Sequence, residues 1–203
     1  MSVGKKSLGI FFAAAALAAS ATPATAQHYS DGYTFLKAVK DRDGDKATEL
    51  ISSPGSTVIN IREPGGAGEG ALHMLVRDRD MTWLSFLLAK GAKPDLQNHD
   101  GLTPLAVAAQ LGWIEGADRL LRGGAKVDLA NVKGETPLIF AVQRRDIAMV
   151  RLLLARGASP KKTDSVAGYS ALDYAKQDGR SPAIVKLLEE EQAPKKEAAG
   201  PKL

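Results

Sequence analysis

Cysteine is absent from all 203 residues. The chain therefore has no disulfides and no stray thiols, and its stability must come from packing alone. Histidine is scarce as well. His28, His73 and His99 are scattered, whereas a metal site needs further ligands at compatible spacing. There is no G-x-S-x-G, and no Ser-His-Asp set that the order of residues can defend. Carboxylates are plentiful but fall on helix starts and loop tips, as a solvated surface has them. Excess charge is nearly missing: apart from Lys5 and Lys6 near the N-terminus, 25 basic residues stand against 23 acidic ones. Three of those, Lys195, Lys196 and Lys202, lie in a C-terminal tail. With no basic stripe interleaved with aromatics, nucleic acid is not an expected partner.

The one long apolar run is at the N-terminus. Lys5 and Lys6 precede Leu8–Ala19, and TPATAQ follows, with Ala24 and Ala26 in the small-x-small pattern of a leader cleavage site. The run is about a dozen residues, short of the roughly 20 that span a bilayer. No cysteine follows it, which excludes lipid attachment there. Residues 1–26 are expected to be a signal peptide and Gln27 the mature N-terminus. The short alanine-rich leader points to a bacterial chain in the periplasm, or secreted, with no stable membrane insertion after cleavage. The remainder is enough for one domain with a proper core.

What is abundant is repetition. Gly101 opens GLTPLAVAAQLGWIEGADRLLRGGA and Gly134 opens GETPLIFAVQRRDIAMVRLLLARGA, an offset of 33. One step back reaches Gly68, with Leu72, Leu87 and Gly91 in phase. One step forward, lengthened by a residue near Asp164, reaches Gly168 and YSALDYA. Thr103 and Thr136 are side-chain caps, and Pro104 and Pro137 follow where a missing N–H costs nothing. The first helix of each unit presents small residues such as Ala108 and Ala109 and breaks at Gly112, Arg145 or Gly179. Asp80 and Asp146 cap a second helix, patterned as Val150, Leu153 and Leu154, that ends at Gly91, Gly124 or Gly157. Stretches such as KPDLQNHDG then form hairpin-like loops. Trp83, Trp113 and Tyr174 are expected to pack between units, and Tyr169 to be exposed.

These residues resemble the ankyrin repeat, whose pattern is G-x-T-P-L-H-x-A-A followed by L-L-x-x-G-A. The likeness spans Asp31 to Glu191 and is strongest in the two central units. It implies an all-α solenoid of helix-turn-helix units joined by hairpin-like loops, about five including degenerate caps. The divisions are an N-terminal cap at 27–62, repeats at 63–97, 98–130 and 131–163, a C-terminal cap at 164–191 and a disordered tail at 192–203. His73 falls where such repeats carry a histidine that bonds to the adjacent turn. The resemblance also implies a non-catalytic protein-binding module, monomeric alone and needing no cofactor. Its partner would contact the loop tips and the exposed side of each first helix. On the tips these positions are His99, Asp100, Leu102, Val132, Lys133, Glu135 and Tyr169. On the first helices they are Arg77, Asp78, Gln110, Leu111, Gln143, Arg144, Gln177 and Asp178. Leu102, Leu111 and Val132 stand out as large apolar side chains at exposed positions. Alternatives are an auxiliary subunit that protects or localises a periplasmic enzyme, for example in oxidative-stress defence, a secreted effector, and an enzyme whose groups converge from distant positions.

One stretch invites a different interpretation. In EPGGAGEGALH, Gly66, Gly68 and Ala71 match the spacing of a dinucleotide-binding turn. That turn needs a βαβ unit and an acidic residue about 20 positions on, where this chain has Leu88, Ala89 and Lys90. The repeat places Gly68 at the turn before a first helix, where Gly70-Ala71 has replaced Thr-Pro. The helix start is expected to be weaker here, so amide exchange should run faster at 63–72 than at 98–105. Equal rates would refute this.

Overall fold

The computed structural model describes residues 24–192, with side chains from 31 to 191. Residues 1–23, the body of the expected leader, and 193–203, the expected tail, lie outside the described residues. Ten α-helices follow one another among the described residues: α1 (Ala24–Asp41), α2 (Gly44–Ser52), α3 (Ala71–Arg77), α4 (Met81–Ala89), α5 (Pro104–Leu111), α6 (Ile114–Arg122), α7 (Pro137–Gln143), α8 (Ile147–Ala155), α9 (Ala171–Asp178) and α10 (Pro182–Gln192). A single 3-10 turn, Val58–Asn60, separates the first pair from the second. The result is an all-α repeat solenoid of five helix pairs.

Six of the helices, α2, α4, α5, α7, α8 and α9, start where a side chain satisfies a free amide. Thr103 Oγ1 accepts from the Ala106 N–H at 3.1 Å and Thr136 Oγ1 from the Ile139 N–H at 3.4 Å, with Pro104 and Pro137 in the first helical position. Before α9 the same task falls to a reciprocal pair. Ser170 Oγ accepts from the Asp173 N–H, and the Asp173 carboxylate accepts from the Ser170 N–H. Asp43, Asp80 and Asp146 cap α2, α4 and α8 at 2.9, 2.9 and 3.0 Å. Gly70 gives α3 no side-chain cap, as the sequence leads one to expect. Instead the imidazole of His73 reaches back, its Nδ1 accepting from the Gly70 N–H at 3.2 Å.

The turn within each pair needs a left-handed residue, and five occupy it: Arg42 (φ 61°), Arg79 (53°), Gly112 (67°), Arg145 (59°) and Gly179 (64°). A side chain in that conformation costs about 1–2 kcal/mol. The three arginines offset the cost by reaching the next pair. Arg42 bonds Asp78 and Asp80 at 2.8 and 2.7 Å, Arg79 donates to the Leu111 carbonyl at 2.9 Å, and Arg145 makes two bonds of 2.8 Å to Asp178.

Packing follows from these starts and stops. The inner helices α1, α3, α5, α7 and α9 stack on one another, and α4, α6, α8 and α10 form the outer row. One apolar core runs from Phe35 to Leu188. In α5 every residue from Leu105 to Ala109 is fully buried, and the alanines let neighbouring inner helices close on it. Leu87, Leu120 and Leu153 anchor the outer row, and truncating such a residue costs about 2–5 kcal/mol.

The ends depart from the repeat. α1 has 18 residues where α3, α5, α7 and α9 have seven or eight. The extra length lies at the N-terminal side, because Asp41 ends the helix in phase with the others. Gly32 in this extension lies against Ile61, where a Cβ would come within 2.7 Å of the Ile61 Cδ1. The extension thus covers the start of the first loop. α10 runs two residues longer than α8, since Glu189, Glu190 and Glu191 stand where a left-handed glycine would stop it.

Gly116 is the third residue of α6, and within a helix glycine is about 1 kcal/mol worse than alanine. The reason is Trp113, only 6% exposed, whose ring rests directly on Gly116 where any Cβ would collide with it. Gly116→Ala should therefore lower stability by about 1–3 kcal/mol despite its better helix propensity. Urea unfolding followed by circular dichroism checks the sign, and a more stable variant would refute the packing argument.

Candidate protein-interaction surface

Between helix pairs the chain runs out to a loop tip and back. Asn98 N–H donates to the Leu102 carbonyl, Asn131 N–H to Glu135 and Asp164 N–H to Tyr169, each at 3.0 Å. The last closure spans one residue more than the others, which locates the inserted residue of the repeat. The side chains of the same three residues fill the turns. Asn98 Oδ1 accepts from the amides of Asp100 and Leu102, and Asn131 Oδ1 from those of Lys133 and Glu135, all at 2.9–3.0 Å. Asp164 accepts four bonds: Oδ1 from the amides of Val166 and Ala167, and Oδ2 from the Tyr169 amide and the Tyr174 hydroxyl.

One main-chain bond then ties each tip to the next. His99 N–H donates to the Ala67 carbonyl at 2.8 Å, Val132 N–H to Asp100 at 3.1 Å and Ser165 N–H to Lys133 at 2.8 Å. This joint demands glycine at Gly101 and Gly134, where positive φ combines with close approach. A Cβ on either would sit 2.7 Å from the amide nitrogen of Val132 or Ser165. At the first tip the glycines serve a neighbouring ring. The His99 imidazole lies against Gly68, with Nδ1 3.3 Å from the Gly66 carbonyl. The glycine spacing of EPGGAGEGALH is a seat for His99.

The tips set out the candidate residues unevenly. His99, Asp100, Val132 and Lys133 are exposed, Val132 at 68%. Tyr169 is 38% exposed and meets Tyr174 edge-on at 5.6 Å. Glu135 is half-buried and accepts from Asn131 Nδ2 at 2.8 Å. Leu102 is a correction: it is only 8% exposed, because it sits at the base of its tip where the chain turns into α5. Its carbonyl faces His73 Nε2 at 2.8 Å, so that histidine ties two units together. Burial lowers the His73 pKa from its ordinary value, and its two bonds require the neutral ring. Leu102 also stands where Asn131 has Glu135, which leaves Asn98 Nδ2 buried without a partner.

On the inner helices, Arg77 pairs with Glu69 at 2.5 Å, Asp78 with Arg42 and Asp178 with Arg145. Leu111 is half-buried against the core, so it too is less exposed than its position suggested. Gln143, Arg144 and Gln177 are exposed and Gln110 is half-buried. Val166, 76% exposed, had not been singled out; it follows Ser165, the residue that takes Val132's place in the tip-to-tip bonds. At the N-terminal end a depression of about 400 Å³ separates α1 from the first tip, lined by Tyr33, Lys40, Glu63, Pro64 and Met74 among others. Among the described residues no group of three His, Asp or Glu is placed to hold a metal, and no helix is long and apolar enough to cross a membrane.

Two carboxylates are held well below the ordinary range. Asp164 is lowered to about 2, chiefly by the Ala167 amide and then by those of Val166 and Tyr169 and the Tyr174 hydroxyl. Asp178 is lowered to about 2 by its bonds to Arg145.

A family model described as ankyrin repeats (3 copies) matches residues 72–164 and, in a second overlapping match, 117–198, together more than half of the chain. The matches begin at Leu72, so α1, α2 and the first tip lie outside them.

The folded pKa of Asp164 lies below its unfolded value near 4, so its contribution is complete above about pH 4 and is lost as pH falls toward 2. Asp164→Asn keeps an acceptor, as Asn98 and Asn131 do, but cannot titrate. The stability difference between wild type and this variant should therefore shrink as pH is lowered from about 5 to about 2. Urea unfolding at several pH values measures it; a constant difference would count against the carboxylate's role.

Proposed function

Because the chain belongs to the ankyrin-repeat family, we propose that it is a non-catalytic binding module of the cell envelope. Ankyrin-repeat chains are protein-interaction modules, and stacked units present extended surfaces for such contacts. In this proposal the N-terminal leader exports the chain to the periplasm or beyond. There it acts as a monomer that holds one protein partner between its loop tips and inner helices. The observation that carries the proposal is the tip row. Main-chain bonds fix each tip to its neighbour, and the side chains displayed there, Val132 at 68% exposure and Val166 at 76%, stand mostly in water. Apolar side chains held in water on a rigid frame are what a partner would cover.

Affinity capture from envelope extracts tests this, with the full chain as bait. The control is a bait carrying Val132→Ala, Lys133→Ala, Gln143→Ala and Arg144→Ala, all at exposed positions. The expected outcome is one protein enriched by the wild-type bait and lost with the control, at unchanged thermal stability. Equal enrichment by both baits would refute the proposed surface.

A further inference from the structure

We propose that the inner-helix face holds an extended, acidic polypeptide segment in polyproline II conformation, reading its main chain through the side-chain amides of Gln110, Gln143 and Gln177. This deepens the binding role above and rests on it.

The three glutamines occupy one position of the repeat, at offsets of 33 and 34, within the last two residues of α5, α7 and α9. None of the three side-chain amides has a partner among the described residues. Their surroundings are otherwise satisfied: Asp78 pairs with Arg42, Arg77 with Glu69, and Asp178 with both Arg145 and Arg180. A primary amide carries a donor and an acceptor together, the complement of a peptide group.

Spacing selects the conformation of the occupant. Packed helices lie about 8–10 Å apart, and three residues of a polyproline II chain, at about 3.1 Å each, cover nearly the same distance. That chain also has three residues per turn and no internal hydrogen bonds, so one peptide group per turn faces each glutamine unpaired. A β-strand would turn alternate faces to a three-residue spacing, and an α-helix has already spent its main-chain groups internally. Between Gln143 and Gln177 lies a depression of about 310 Å³, lined also by Val142, Tyr174 and Asp178. Its aromatic and aliphatic walls suit a proline ring of such a segment.

Charge selects the sign. Arg144, next to Gln143, donates to the Gln110 carbonyl at 3.0 Å and has no carboxylate partner among the described residues. Lys40, in the same row on α1, also has no ion-pair partner among them. Asp78 and Asp178, the carboxylates among these inner-helix positions, are both ion-paired. The face therefore offers uncompensated positive charge, and an acidic side chain on the segment meets Arg144.

A displayed library of random peptides, each about twelve residues long so as to cross four helices at ~3.1 Å per residue, tests the proposal against the full chain. Selected peptides should be rich in proline and acidic residues and show a polyproline II spectrum. Each of Gln110→Ala, Gln143→Ala and Gln177→Ala should weaken them by about three- to tenfold. Arg144→Glu should abolish binding of the acidic peptides. Selection of helical peptides, of peptides indifferent to the glutamine substitutions, or of none at all would overturn it. If a captured protein is lost with Val132→Ala and Lys133→Ala but held equally by the three glutamine variants, this segment is wrong and the wider binding role stands. If no protein is captured at all, the wider role fails first.

Discussion

The single main-chain bond between adjacent loop tips governs the rest of this structure. Val132 N–H reaches the Asp100 carbonyl only because Gly101 beneath it has no side chain, and Ser165 reaches Lys133 over Gly134 in the same way. Once that joint is closed, the rotation and rise from one unit to the next are set. The inner helices must then approach closely, which is why α5 and α7 carry alanines at Ala108, Ala109 and Ala141. No unit buries its apolar face alone, so every joint contributes to the stability of both units it connects.

The turns between paired helices show the same coupling through a different compromise. Glycine at Gly112 and Gly179 takes the left-handed conformation without steric cost, while Arg42, Arg79 and Arg145 take it with strain and use the side chain to grip the following unit. Local cost and non-local gain are joined in one residue. The bonds to Asp178 that hold its carboxylate at about 2 are the other side of that exchange at the last joint.

Much of this was legible in the sequence because it depends on residue type at fixed spacing. Thr-Pro starts, aspartate caps and left-handed glycines recur in phase, and all act on the backbone within a few residues of themselves. The inserted residue near Asp164 was visible as a slipped offset, and the structure puts it in the last tip. What escaped were features decided by side-chain contacts rather than by residue type at fixed spacing. Leu102 looks like an exposed tip residue until the chain's turn into α5 buries it. Gly116 looks like a weak point in a helix until Trp113 is seen lying on it, and the glycines of EPGGAGEGALH, legible as a turn, give no sign that His99 is seated on them. α1 is longer than the other inner helices, and its extension lies against Ile61, a contact no periodicity encodes.

The chain carries only two tryptophans, and the fold assigns them to different neighbourhoods. Trp83, half-buried beside Phe86 and with the Arg42 guanidinium 6.0 Å from its ring, watches the joint between the first and second helix pairs. Trp113, nearly sealed over Gly116, watches the third. In a molecule whose cohesion passes from neighbour to neighbour, the two indoles are built-in fluorescent reporters, one toward the N-terminal end and one in the centre. Their emission can distinguish a stack that peels from its N-terminus from one that dissolves all at once.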